Sequence, residues 1–104
     1  MTNPPPKRDH KITLGQARAL MAKRPQGVTT RGGHFPREAI EAILAQPGCT
    51  GIRFYYGTNT DGSTAMVLVG IDDTTTDMTS GEIIDHHYPC PPFCGDGGSA
   101  LREE

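Results

Sequence analysis

Residues 50–71 constrain this chain more than any other stretch. They read Thr-Gly-Ile-Arg-Phe-Tyr-Tyr-Gly, a polar connection, then Thr-Ala-Met-Val-Leu-Val-Gly-Ile. Ile52, Phe54 and Tyr56 alternate with Arg53 and Tyr55, the two-residue period of a half-buried strand. Residues 65–69 are apolar without a break, as in a central strand covered on both faces. Asp61-Gly62 lies between them and is a strong turn signal, in a loop longer than the two-residue ideal. The stretch is therefore expected to form an antiparallel hairpin. Phe54, Tyr55 and Tyr56 seed the core there, with Val67 and Val69 as core positions on the second strand.

The flanks supply helices. Thr13 and Gln16 fit a capping box, which predicts a first helix over residues 13–24 that Pro25 stops. Leu14, Ala17, Leu20 and Met21 make its buried face, and Arg18, Lys23 and Arg24 suit its C-terminal half. A second helix spans residues 35–46, with Pro36 in the first turn and Gly48 past the end. Ala39, Ile40, Ile43 and Leu44 form its core face. The loop between them holds a candidate short edge strand at residues 28–31. Beyond the hairpin, residues 72–80 form a second polar loop and residues 81–87 a third strand, with Ile83, and with it Asp85 or Ile84, expected inward. The layout predicts an α+β domain, two helices packed on one face of a small three- or four-stranded antiparallel sheet. Residues 1–11 read as a proline-rich arm, residues 12–94 as the single domain and residues 95–104 as a tail.

With 104 residues the chain makes one domain, burying roughly 65% of its unfolded surface. Hydrophobic residues are only 35%, while 13 glycines and 9 prolines leave short elements and long connections. Such a chain calls for a staple, a metal or a partner. A net charge of −2 gives no electrostatic reason to expect nucleic acid or an anionic membrane. No apolar run approaches the roughly 20 residues of a bilayer span, and residues 1–11 lack a secretion signal. The expectation is a cytoplasmic protein that assembles with copies of itself or with another protein, because a small sheet leaves two unpaired edges. In a reducing compartment its three cysteines are thiols or metal ligands.

Gln46-Pro47-Gly48-Cys49, Gly51-Ile52-Arg53, Tyr55-Tyr56-Gly57, Val67-Leu68-Val69-Gly70-Ile71-Asp72 and Cys90-Pro91-Pro92-Phe93-Cys94 together resemble a family of small bacterial proteins of uncharacterised activity that end in a Cys-Pro-x-x-Cys-like segment. The resemblance covers residues 36–94 and implies the order of elements, not an activity.

One stretch is chemically dense. His86, His87, Cys90 and Cys94 fall within nine residues stiffened by Pro89, Pro91 and Pro92. Imidazole and thiolate are ligands that zinc or copper accepts, and a further ligand would come from Cys49, His34, Asp85 or Asp96, or from another chain. Adjacent histidines on a strand point to opposite faces, so one of His86 and His87 joins the cysteines. The Cys-x3-Cys spacing departs from the usual knuckle. A Cys90–Cys94 disulfide and the absence of any site both stand beside the metal. A thioredoxin-like dithiol needs one residue fewer and a following helix.

Other combinations are weaker. Cys49 is a small buried hydrophobe by default. Pairing it with His34 as nucleophile and base fails, since the ends of a helix of about 11 residues are roughly 16 Å apart. Asn59-x-Asp61-Gly62 lacks both end carboxylates of a calcium loop. Asp72, Asp73 and Asp77 read as solvated turn residues, and residues 31–34 as a flexible loop rather than an anion site. Arg53 is expected to pair with Asp85 or Glu82 across the sheet. The reading that follows is a non-enzymatic structural or binding module that self-associates. Alternatives are a thiol redox protein or small enzyme using Cys90 and Cys94, and a regulatory protein that binds a small ligand.

Overall fold

The computed structural model describes residues 5–23 and 32–101. The fold is α+β. The elements run α1 (Leu14–Met21), β1 (Gly32–His34), α2 (Arg37–Leu44), β2 (Gly51–Thr58), β3 (Thr64–Ile71), β4 (Ile83–Ile84) and β5 (Tyr88–Cys90). They make a three-stranded sheet in the order β2-β3-β4 and a two-stranded ribbon of β1 and β5. Every pairing is antiparallel. Residues 24–31 hold the expected end of the first helix and the candidate strand at 28–31, and lie outside the described residues, as do residues 1–4 and 102–104. Residues 5–11 are exposed and adopt no regular structure. No helix among the described residues is long and apolar enough to cross a membrane.

The hairpin forms as the sequence predicts. Gly51 pairs with Ile71 and the register runs without slip to Thr58 and Thr64. Its loop closes when the Asn59 N–H donates to the Ser63 carbonyl at 2.8 Å and the Gly62 N–H to the Asn59 carbonyl at 2.9 Å. Asp61 accepts from the Ser63 amide and hydroxyl, the side-chain bonds that suit aspartate to turns. The apolar run in β3 marks the central strand: Ala65, Leu68 and Val69 are buried, Val69 at 3% exposure, and Val67 is half-buried.

Helix α1 starts with the predicted capping box. The Gln16 N–H donates to the Thr13 hydroxyl at 3.1 Å, and the Thr13 N–H to the Gln16 side chain at 2.9 Å. Its expected buried face is not buried. Leu14 and Leu20 are exposed, Leu20 at 67%, and only Ala17 and Met21 are half-buried. The helix has eight residues and no other element packs along it, so its apolar stripe finds no cover within the described chain.

Helix α2 carries the core. Ile43 is fully enclosed, and the helix packs on β2 and β3. A Cβ on Gly70 would sit 2.9 Å from Gln46 Nε2, 3.1 Å from Cys49 Sγ and 3.3 Å from Ile43 Cγ2. Only glycine lets the end of α2 approach β3 this closely. Gln46 then bridges outward, donating from Nε2 to the Ile43 carbonyl and accepting at Oε1 from the Glu82 N–H, both at 2.9 Å.

Two further expectations are corrected. Ile52, Phe54 and Tyr56 share the face that α2 covers, yet Phe54 is 53% and Tyr56 72% exposed. Eight helical residues span about 12 Å, whereas eight strand residues span about 27 Å. The helix therefore shields the Ile52–Gly70 end and leaves the other end open. The expected third strand over residues 81–87 is reduced to β4, and β5 begins only at Tyr88, because His86 adopts a left-handed φ of 63° that breaks the extended run. Of the residues expected inward, Ile83 is exposed, whereas the alternatives Ile84 and Asp85 are half-buried.

Ile43→Ala should cost about 2–5 kcal/mol, as full truncations in a packed core do. Gly70→Ala should also destabilise, by about 1–3 kcal/mol, through overpacking. Denaturant titration checks both, and wild-type midpoints would show that the contact of α2 with β3 is not the core.

Candidate functional site

The Cys/His segment follows β4 and returns along β1. Gly32 pairs with Cys90, Gly33 with Pro89 and His34 with Tyr88. Gly33 is required here, since a Cβ would collide with the His87 ring. After β5 the chain turns back: the Phe93 N–H donates to the Pro89 carbonyl at 2.8 Å and the Cys94 N–H to the Pro92 carbonyl at 3.0 Å. This brings Cys90 and Cys94 to a Cα separation of 4.7 Å, and a disulfide joins them. Aromatic contacts surround the turn, with Tyr88 edge-on to Phe93 at 5.5 Å and tilted against His34 at 5.1 Å. His87 tilts against Phe35 at 6.1 Å.

The four residues expected to act together are divided between two grooves. Cys90 and Cys94 line one of about 440 Å³ with His34, Phe93 and Met21 of α1. His86 and His87 line another of about 440 Å³, opposite the Asn59–Ser63 turn. Among the described residues no three side chains of His, Cys, Asp or Glu gather closely enough to hold a metal ion. Thiolate is the metal ligand, so zinc or copper at Cys90 and Cys94 requires the disulfide to be reduced first. Cys49 stands apart. It is a free, half-buried thiol whose Sγ donates to the Gly51 carbonyl at 3.2 Å beside Gly70.

A second polar cluster escaped the sequence reading. Arg53 pairs with Asp77 at 2.5 Å rather than with Asp85 or Glu82, and its Nη1 also donates to the Thr75 carbonyl at 2.9 Å. The Tyr55 hydroxyl donates to the other Asp77 oxygen. The reason is sheet order. Strand β4 lies beyond β3, whereas the loop after β3 folds back, with Asp77 bridged to Ile71. Asp72 organises that loop by accepting from the Thr74 and Thr76 amides, as a turn aspartate does. The spacing Arg53-x-Tyr55, one face of a strand, was the available signal, but nothing local points it at Asp77.

No family model, curated protein or solved structure matches the chain.

Tyr55 first and Arg53 second hold the Asp77 carboxyl below its usual range. The bond to Asp77 in turn holds the Tyr55 phenol above its usual range. A lowered carboxylate stabilises the fold above the ordinary aspartate value of about 4 and loses that contribution as the pH falls below it. A raised phenol stabilises below about pH 10 and loses its contribution above that. Thermal melts across pH should show Asp77→Asn with a shallower acid limb than wild type, and superimposable limbs would leave the cluster without a role. In denaturant without reductant, alkylation should reach Cys49 alone. Labelling of Cys90 and Cys94 that needs only a chelator would replace the disulfide by a metal.

Proposed function

We propose that the chain is a non-enzymatic structural or binding module that associates with copies of itself, its C-terminal segment closed by the Cys90–Cys94 disulfide. One observation carries this reading. Among the described residues five hydrophobic side chains are buried, whereas eleven large ones are exposed. Single exposed apolar residues are ordinary, but here five of the eleven gather on two elements, Leu14 and Leu20 on α1 and Phe54, Tyr55 and Tyr56 on β2. At about 25 cal/mol per Å², covering such surface is the main driving force available to an association.

A thiol–disulfide protein is the second reading. It is favoured by the position of Cys94, half-buried on the wall of a groove and bonded to Cys90. An external dithiol would supply two electrons and two protons, become a disulfide itself and leave Cys90 and Cys94 as thiols able to take zinc or copper.

Sedimentation equilibrium tests the first reading. The mass should exceed that of one chain in the micromolar range, and a monomer throughout that range would overturn it. Retention of that mass in Cys90→Ser would separate assembly from thiol chemistry.

A further inference from the structure

Among the described residues strand β2 is a full-length open edge. Among them it pairs with β3 alone, along all eight of its positions. The hydrogen bond from the Asn59 N–H to the Ser63 carbonyl fixes the phase of the ladder. Bonded pairs alternate in an antiparallel sheet, so Gly57 with Ala65, Tyr55 with Val67 and Arg53 with Val69 take the bonded sites. Ile52, Phe54, Tyr56 and Thr58 therefore aim their N–H and C=O groups away from the sheet. The side chains of the same residues lie on the face that α2 leaves uncovered beyond Ile52, where Phe54 and Tyr56 meet edge-on at 5.6 Å. Such an edge is normally protected by lysine, proline, a bulge or brevity. None of these interrupts residues 51–58, while the opposite edge is formed by a β4 of two residues.

We propose that β2 pairs edge to edge with β2 of a second copy, antiparallel about a two-fold axis at Tyr55, making one continuous six-stranded sheet. This rests on the self-association proposed above and names its surface. The strand is complementary to itself in that register. Phe54 falls opposite Tyr56 of the second copy and Tyr56 opposite its Phe54, which gathers four exposed rings into one cluster. Ile52 falls opposite Thr58. Arg53 falls opposite Gly57, so the strand's one charged residue meets no like charge, and it is already paired to Asp77. All four outward residues find backbone partners. A two-fold contact uses the same edge twice and closes, which gives a dimer rather than a filament.

The phase of the ladder makes the test specific. Proline at an outward position removes an N–H that β3 does not use, so Tyr56→Pro should keep the wild-type circular dichroism while raising the dimer dissociation constant by about tenfold or more. Tyr56→Lys, which keeps the N–H but adds a charge opposite the partner's Phe54, should weaken the dimer similarly. At the axis, two Tyr55 residues face each other in a non-bonded pair at a Cα distance of about 4.5 Å, within disulfide reach. In a Cys49→Ser background, Tyr55→Cys should therefore form a covalent dimer under mild oxidation. Gly57→Cys, which faces Arg53 and has room for its Cβ 3.8 Å from that of Ala65, should not. A dimer that survives both Tyr56 variants, or that cross-links equally at both positions, overturns the edge pairing while leaving self-association in place. A wild-type chain that stays monomeric overturns both.

Discussion

The seating of α2 on β3 is the contact on which the rest of this structure depends. Ile43 can reach its enclosed position only because Gly70 has no side chain. The helix is too short to hold the sheet by area alone, so its close approach matters more than its length. Gln46 extends the contact sideways. By taking the Glu82 N–H, it fixes where the chain re-enters the sheet as β4, which is too brief to be placed by its own two pairings. A side-chain amide at a helix end thus does for β4 what a longer ladder does elsewhere.

The sheet is consequently uneven along its length. At the Gly51–Ile71 end it has helix on one face and the Asp72–Asp77 loop on the other, tied by Arg53 and Tyr55. At the Thr58–Thr64 end the aromatic residues on the helix side face solvent. The polar loop is held by its own aspartate and threonines, so it needs little help from the core to keep its shape.

The hairpin, its turn and the central strand were legible because each is written in local pattern: alternation, Asp-Gly and an unbroken apolar run. Thr13 and Gln16 announced the start of α1 for the same reason. What could not be read was coverage. The alternation in β2 marks Phe54 and Tyr56 as one face, but whether a helix extends over them depends on the length of α2 and where it lands. The leucines of α1 carry the same ambiguity, since a stripe states that a face is apolar, not what it meets. The Arg53–Asp77 pair was hidden by strand order. In the C-terminal segment the density of cysteine and histidine was visible, but neither the left-handed turn at His86 nor the division of histidines and cysteines between two grooves was.

The disulfide encloses only four steps of chain. A covalent link withholds freedom from the unfolded chain in proportion to the logarithm of the loop it closes, so one this local restrains little beyond its own turn. It ties β5 to the residues that follow it and leaves the main sheet and α2 unlinked to it. The covalent constraint is therefore confined to one end of the molecule. The link does not cross to β1, so the ribbon of β1 and β5 rests on its three backbone pairings, and the order of local opening across such a fold is what hydrogen exchange resolves residue by residue.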